Sequence, residues 1–413
     1  MASSAARSDS WAAKLSADEM QAKARKVRRF DETEAALPVI KVQASLPAQL
    51  LNVPALFSHL GSRNPLARQV TYGDVVWMLD NVAFKPGLFS SWQAEFVTAV
   101  FEKESKEKLV DLVAVIARII GLADEDHEFE TLEERLLPFV WDLRPGRKLL
   151  AAHGDKQFIL GPTGPNGIAG HLVKLPTGTP GALTRTKAVV SNGITGILSS
   201  WTYFSEPEGW SVVSDVDDTI KVTLTNDPIG ILRETFINEP RPIRGMPELF
   251  ATIKSMLPED TPWFYLSASP YNLYPFLREF RNNYYPPGAI LLREVSWRTI
   301  AGLLRALTTG TEQYKSERLA KIHGWFPKRK MILVGDSTQS DPEAYGELYR
   351  LYPGWVKCIL IRKATDISSV GIEEKNAKER FDVAFKGIPK EVWHVFEDPE
   401  ECPPFLQDVI SRN

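Results

Sequence analysis

The apolar positions of this chain change their period twice. Between residues 65 and 142 they recur at helical spacing. Ser90 and Gln93 form a capping-box pair ahead of Phe96, Val97, Val100 and Phe101, and Leu109, Leu112, Val113, Ile116, Ile119 and Ile120 extend the face. Leu132, Leu136, Leu137 and Val140 predict one more helix, closed by "RPG" at 144 to 146. From Arg147 to about Ser205 the texture is short strands, "QFILG", "HLVKL" and "KAVVS", separated by "GPTGPNG" and "PTGTPG". That texture predicts a small sandwich-like or barrel-like module. From Trp210 onward strands alternate with helices: "WSVVSDVDD", "PELFATIKSM", "PWFYLSAS", "NLYPFLREFRNNY", and later "AILLREV", "SERLAKIHGWF", "KMILVGDS" and "VKCILIRK". Short apolar strands between helices predict a parallel sheet covered on both faces, with its ligand site beyond the carboxyl ends of the strands.

The predicted organisation is therefore an α/β protein in four parts. Residues 1–64 form a mobile or partly helical tail, 65–146 a helical region, 147–205 the β-rich module and 206–413 the α/β domain. Charge narrows the function classes. With 49 basic and 52 acidic residues in 413, the chain lacks the basic excess of a general nucleic-acid binder, and no nucleic-acid partner is expected. Cys358 and Cys402 are too few for a disulfide framework or a cysteine zinc site, which favours a reducing compartment. The most apolar run, "LVDLVAVIARIIGLA", is short and carries Asp111 and Arg118, so no membrane span is expected. The N-terminus has no apolar signal core.

The candidate chemistry sits where the strands end. "SDVDDT" places Asp215, Asp217 and Asp218 within four positions after an apolar strand, where uncompensated carboxylates would repel one another and lose hydration. Ser267 and Ser269 follow the second strand; Gly335, Asp336 and Asp341 follow "KMILV". Carboxylates gathered this way make a site for a hard divalent cation, and Mg²⁺ suits an oxygen set completed by water and phosphate. Asp215 and Asp336 are the leading side-chain ligands, with Asp341 as direct or supporting ligand. Asp215 and Asp217, two apart, point to one side, so one can attack phosphorus while the other protonates the leaving oxygen. Lys315 and Ser267 would hold the phosphoryl oxygens; Lys321, Lys328 and Lys330 compete with Lys315 for that role. Ile220 and Asn226 stand where an EF-hand needs Gly and Glu, and "GPTGPNG" lacks a phosphate-loop ending.

"DVDDT", "YLSAS", Lys315 and "GDSTQSD" together resemble the four motifs of the haloacid dehalogenase superfamily. The longer wording, "SNGITGILSSWTYFSEPEGWSVVSDVDDTIKVT", "RGMPELF", "FYLSASPYNLYPFL" and "MILVGDSTQSDPEAYGELY", is similar to the fungal actin-patch phosphatidate phosphatase family, over about Leu143 to Glu397. The resemblance implies a Rossmann-like domain that hydrolyses phosphatidate to diacylglycerol and phosphate with Mg²⁺ as cofactor. It implies Asp215 as nucleophile and Asp217 as general acid, then base. Ser267 and Lys315 become phosphate holders, and Asp215, Asp217, Asp336 and Asp341 the metal set. Thr219, Arg241 and Arg244 are expected at the substrate, the two arginines on a flap between Thr219 and Gly245 that meets anionic headgroups.

The expected partner is phosphatidate in membranes, reached by a cytoplasmic protein that binds peripherally, with cortical actin patches as the location the family suggests. The family's long proline-rich tail is absent after Pro404, so no SH3 partner is expected. Two other functions stay open at this point: the same mechanism on another phosphomonoester or phosphoprotein, or a membrane-trafficking adaptor that retains the fold.

Overall fold

The computed structural model describes residues 19–38, 67–87, 90–103, 107–122, 126–176, 178–293, 300–366 and 372–413. Of the tail expected over 1–64, only 19–38 falls among them. It is helical over 19–27 (α1) and Phe30–Ala36 (α2), and it is docked rather than loose. Arg25 reaches Glu34 at 2.6 Å, and Glu34, 5% exposed, also meets Arg305 at 2.7 Å.

The first sheet begins far earlier than the composition predicts. Among the described residues eleven strands belong to it. They are β1 (Arg68–Gln69), β2 (Asp74–Met78), β3 (Asn81–Phe84), β4 (Gln93–Glu102), β5 (Asp142–Leu143), β6 (Arg147–His153), β7 (Lys156–Leu160), β8 (Ile168–Lys174), β9 (Leu183–Ala188), β10 (Thr195–Ile197) and β11 (Ser199–Phe204). The expected helical region at 65–146 is thus half strand: helices α3 (Glu107–Ile120) and α4 (Asp126–Val140) occupy only its second part. The error has a physical cause. β4 pairs with β2, β3, β5 and β8, and from Thr98 to Phe101 it is buried on both faces. Phe96 and Val100 enter the core of the sheet, while Val97, Ala99 and Phe101 pack with α3 and α4. A strand buried on both sides does not alternate, and its apolar residues four apart imitate a helix.

The second sheet has six strands, all parallel: β12 (Glu208–Asp215), β13 (Trp263–Pro270), β14 (Ala289–Arg293), β15 (Lys328–Asp336), β16 (Val356–Arg362) and β17 (Trp393–Phe396). Their spatial order is β14-β13-β12-β15-β16-β17, so the chain runs outward one way from β12 and then the other. Such a reversal opens a crevice between β12 and β15 at their carboxyl ends. Helices cover both faces. Val212, Val334 and Leu360 pack on one side with α5 (Pro228–Phe236), α6 (Met246–Met256) and α7 (Tyr274–Tyr284). Val213, Leu333 and Ile359 pack on the other with α9 (Thr311–Trp325) and α10 (Asp341–Leu351). Between α7 and α9 lies α8 (Ile300–Thr308), against which α2 rests.

The two sheets are bolted together by Asp80, 6% exposed. It accepts from Arg278 at 2.9 Å, from Arg281 at 2.7 Å and from the backbone N–H of Trp201. Among the described residues no helix is long and apolar enough to cross a membrane.

Candidate active site

Each of the three crowded aspartates has its own partner, which resolves the puzzle of their spacing. Asp215, the last residue of β12, faces the Lys315 ammonium at 2.9 Å. Asp217 turns the other way, accepting from the Ser267 hydroxyl at 2.6 Å and the Thr223 hydroxyl at 2.9 Å. Asp218 folds the loop itself. Its carboxylate accepts from the N–H groups of Thr223, Leu224 and Thr225 and from the Thr225 hydroxyl, all between 2.7 and 2.9 Å. Its φ of 62° lies in the left-handed region, which aspartate tolerates through such local bonds.

Lys315, on the second turn of α9, also meets Asp341 at 2.5 Å. Asp341 starts α10 and accepts from the N–H of Asp336 at 3.1 Å. The strand closes on it tightly: a Cβ at Gly335 would stand 2.7 Å from the Asp341 Cβ, so this position needs glycine. The Thr219 hydroxyl lies 2.8 Å from Asp336 and 3.2 Å from Asp215, joining the two carboxylates. Asp215, Asp336 and Asp341 offer oxygens within 4.8 Å of one another. An all-carboxylate donor set with one lysine as counter-charge fits a hard divalent cation.

Every one of these side chains is at least 97% buried. Burial pushes the Asp215 carboxyl well above the usual range; Lys315 pulls it back, and Asp341, Asp336 and Asp217 raise it further. Burial likewise lifts Asp341 to about 6, against the pull of Lys315. For Lys315, desolvation favours the neutral amine, but Asp215, Asp341 and Asp336 outweigh it and hold the ammonium above its ordinary value. The site therefore gathers three buried carboxyl groups around one lysine.

Sequence reading and structure differ at several residues. Asp217, placed in the metal set, lies outside the three-carboxylate group and spends both oxygens on hydroxyls. Ser267, expected at phosphate, is bonded to Asp217 instead, and Thr219, expected at substrate, organises carboxylates. Arg241 and Arg244 are not in the cluster. Arg241 pairs with the buried Glu234 at 2.8 Å, and Arg244 lines a cleft of about 680 Å³ with Glu248, Asp366 and Glu397. The expected flap from Thr219 to Gly245 is a packed element, because Ile231, Leu232 and Phe236 of α5 are fully buried in the core.

Three residues escaped the sequence reading. Thr223 stands inside the quoted "DVDDTIKVT", and the buried Lys221 donates to it at 3.2 Å. Lys375 is 3% exposed and donates to Thr338 O, Asn226 and Gln21 at 2.5, 2.8 and 3.0 Å. Burial brings its ammonium down to about 8. It lines a cavity of about 220 Å³ with Thr308, Thr311, Gln339 and Ser340, beside the turn that follows Asp336. No motif spacing points to Lys375; only the fold brings it there.

Thr223 yields a direct test. Thr223→Val keeps the shape but removes one of two donors to a buried carboxylate, so turnover should fall about 10- to 100-fold with KM little changed. Steady-state kinetics check it, and an unchanged kcat would remove Thr223 from the site.

Comparisons with known proteins give this chain relatives over the same region. Residues 210–363 match the family model described as the catalytic domain of phosphatidate phosphatase APP1. Phosphatidate phosphatase APP1 of Saccharomyces cerevisiae is 31% identical over 255 residues, which is 59% of this chain and 42% of that protein. An uncharacterized protein of Schizosaccharomyces pombe is 26% identical over 157 residues, 37% of this chain and 25% of its own length. The match thus spans less than half the length of either relative.

Proposed function

Residues 210–363 match the family model of the phosphatidate phosphatase APP1 catalytic domain, and from that match we propose that the chain hydrolyses phosphatidate to diacylglycerol and inorganic phosphate. The observation that carries the reading is the buried contact of Lys315 with both Asp215 and Asp341, next to Asp217 and its two hydroxyl donors. We read the parallel sheet as the Rossmann-like core of the haloacid dehalogenase superfamily.

Asp215 attacks phosphorus, the bond from phosphorus to the glycerol oxygen breaks, and Asp217 gives that oxygen its proton. Diacylglycerol leaves and phosphate stays esterified to Asp215. Water then attacks the phosphorus and passes a proton to Asp217, which frees phosphate and restores Asp215. Ser267 and Thr223 hold the Asp217 carboxyl in place for both transfers. Lys315 keeps Asp215 oriented and offers positive charge to the phosphoryl oxygens. Asp215, Asp336 and Asp341 would hold Mg²⁺. When bound, that ion neutralises phosphoryl charge as a Lewis acid. The protein acts at the cytoplasmic surface of membranes in this reading.

The defining experiment measures phosphate release from phosphatidate in mixed micelles, with Mg²⁺ and with excess chelator. Release that needs the metal supports the reading. Cleavage of other phosphomonoesters with phosphatidate untouched would overturn the substrate. Asp217→Asn sharpens the mechanism: kcat on phosphatidate, whose alkoxide leaves poorly, should drop about 10²- to 10⁴-fold. An aryl phosphate with a good leaving group should lose far less in the first step, visible as a burst of phenol. Equal loss of the burst with both substrates would refute Asp217 as the acid.

A further inference from the structure

We propose that the outer face of the sheet formed by β7, β6, β9 and β11 docks on an anionic lipid surface. The inference deepens the phosphatidate reading, on which it rests for its purpose, by naming the part of the chain that meets the membrane. Cross-strand partners share one face of a sheet. Leu150 pairs with Ile159 and Ala152 with Gln157; Ala152 also pairs with Lys187. Lys187 in turn lies opposite Ser199, and Arg185 opposite Trp201. These residues, with Leu183, therefore line one side. The other side, through Leu149, Ala151, Leu160 and Phe204, fills the core.

Away from Tyr203, which is buried against the second sheet, that outer side is open and apolar: Ile159, Leu183 and Trp201 are 49%, 42% and 41% exposed. Its own strands also have one sign of charge, with Glu259 bordering the face at the Leu183 end. The four strands contain no acidic residue, and from Leu143 to Ser205 seven Lys or Arg stand against the single Asp155, in a chain that is slightly acidic as a whole. Arg185 is held by the neutral Ser199 hydroxyl at 2.9 Å. Neither Arg185 nor Lys187 has an ion-pair partner among the described residues, so neither charge is cancelled locally.

Exposed aliphatic groups, a tryptophan and uncancelled basic residues on one face match what a negatively charged bilayer interface rewards. A single-stranded nucleic acid would call for several exposed aromatic rings, and this face has one.

The test uses the full chain and flotation with vesicles of phosphatidylcholine alone or with phosphatidylserine, a lipid with no phosphomonoester for the active site. The wild type should float with the phosphatidylserine vesicles, and salt should weaken that association. The Arg185→Glu, Lys187→Glu double variant should partition about tenfold less or weaker still. Trp201→Ser, which leaves the charge intact, should also lose association. Thermal melting of each variant identifies any that has failed to fold. A well-folded double variant that floats like the wild type would overturn the proposal, as would a wild type that ignores phosphatidylserine. Displacement from vesicles by a single-stranded oligonucleotide would reassign the face to nucleic acid. No turnover enters the measurement, so failure of phosphatidate hydrolysis and failure of docking are told apart.

Discussion

Asp215→Asn should leave a folded protein that releases phosphate from phosphatidate on the order of 10⁵-fold more slowly than the wild type, or slower still. The size follows from the role: an amide cannot form the phosphoester that divides the reaction into two steps. Stability should scarcely fall. The substitution loses one contact to Lys315, but it also removes a buried charge that Asp336 and Asp341 repel, and Lys315 keeps Asp341. Sites built for chemistry often gain stability when their charge is removed. Single-turnover phosphate release and a melting curve measure both halves. A rate within tenfold of wild type would end the nucleophile assignment and leave the hydrolysis to another group.

Lys315→Met has the opposite character, damaging fold and chemistry together. Lys315 is completely buried, and its ammonium is the counter-charge to Asp215 and Asp341. Removing one partner from a buried ionic cluster costs about 3–5 kcal/mol, because the remaining carboxylates stay buried without compensation. In a domain of this size that corresponds to a fall in Tm on the order of 10 °C. Activity should fall about 10³-fold as well, since a preorganised charge at the phosphoryl group is lost. Lys315→Arg retains the charge and should recover part of the stability. A Met variant that melts with the wild type, measured in chelator, would show that the carboxylates do not depend on this lysine.

The contrast between these two residues marks where sequence reasoning ends. Asp215, Asp336 and Asp341 were legible because parallel strands are short apolar runs, and polar residues directly after such runs stand at a common edge. Lys315 was legible from the residues as one of four lysines ahead of the last motif, and the family resemblance favoured it over the other three. What the motif could not convey was pairing. Ser267 and Thr219 sit where the spacing places them, yet their hydroxyls bond to Asp217 and to Asp336. Contacts of that kind depend on side-chain directions in three dimensions. Arg241 and Arg244 show the same limit. Cationic residues in an insertion suggest a ligand, but Arg241 is claimed by Glu234, which α5 carries into the core.

By itself the sequence determined the alternation of strands and helices after Trp210 and the positions of the carboxylates at strand ends. These follow from local periodicity and residue chemistry, which a linear reading can see. Tertiary structure decided the rest. It made β4 a strand because its two faces meet two different cores, and it extended the first sheet back to Arg68. It brought Lys375 to the turn after Asp336 from outside any motif. It also aligned Arg185, Lys187 and Trp201 on one face, because antiparallel register sets residues remote in sequence side by side.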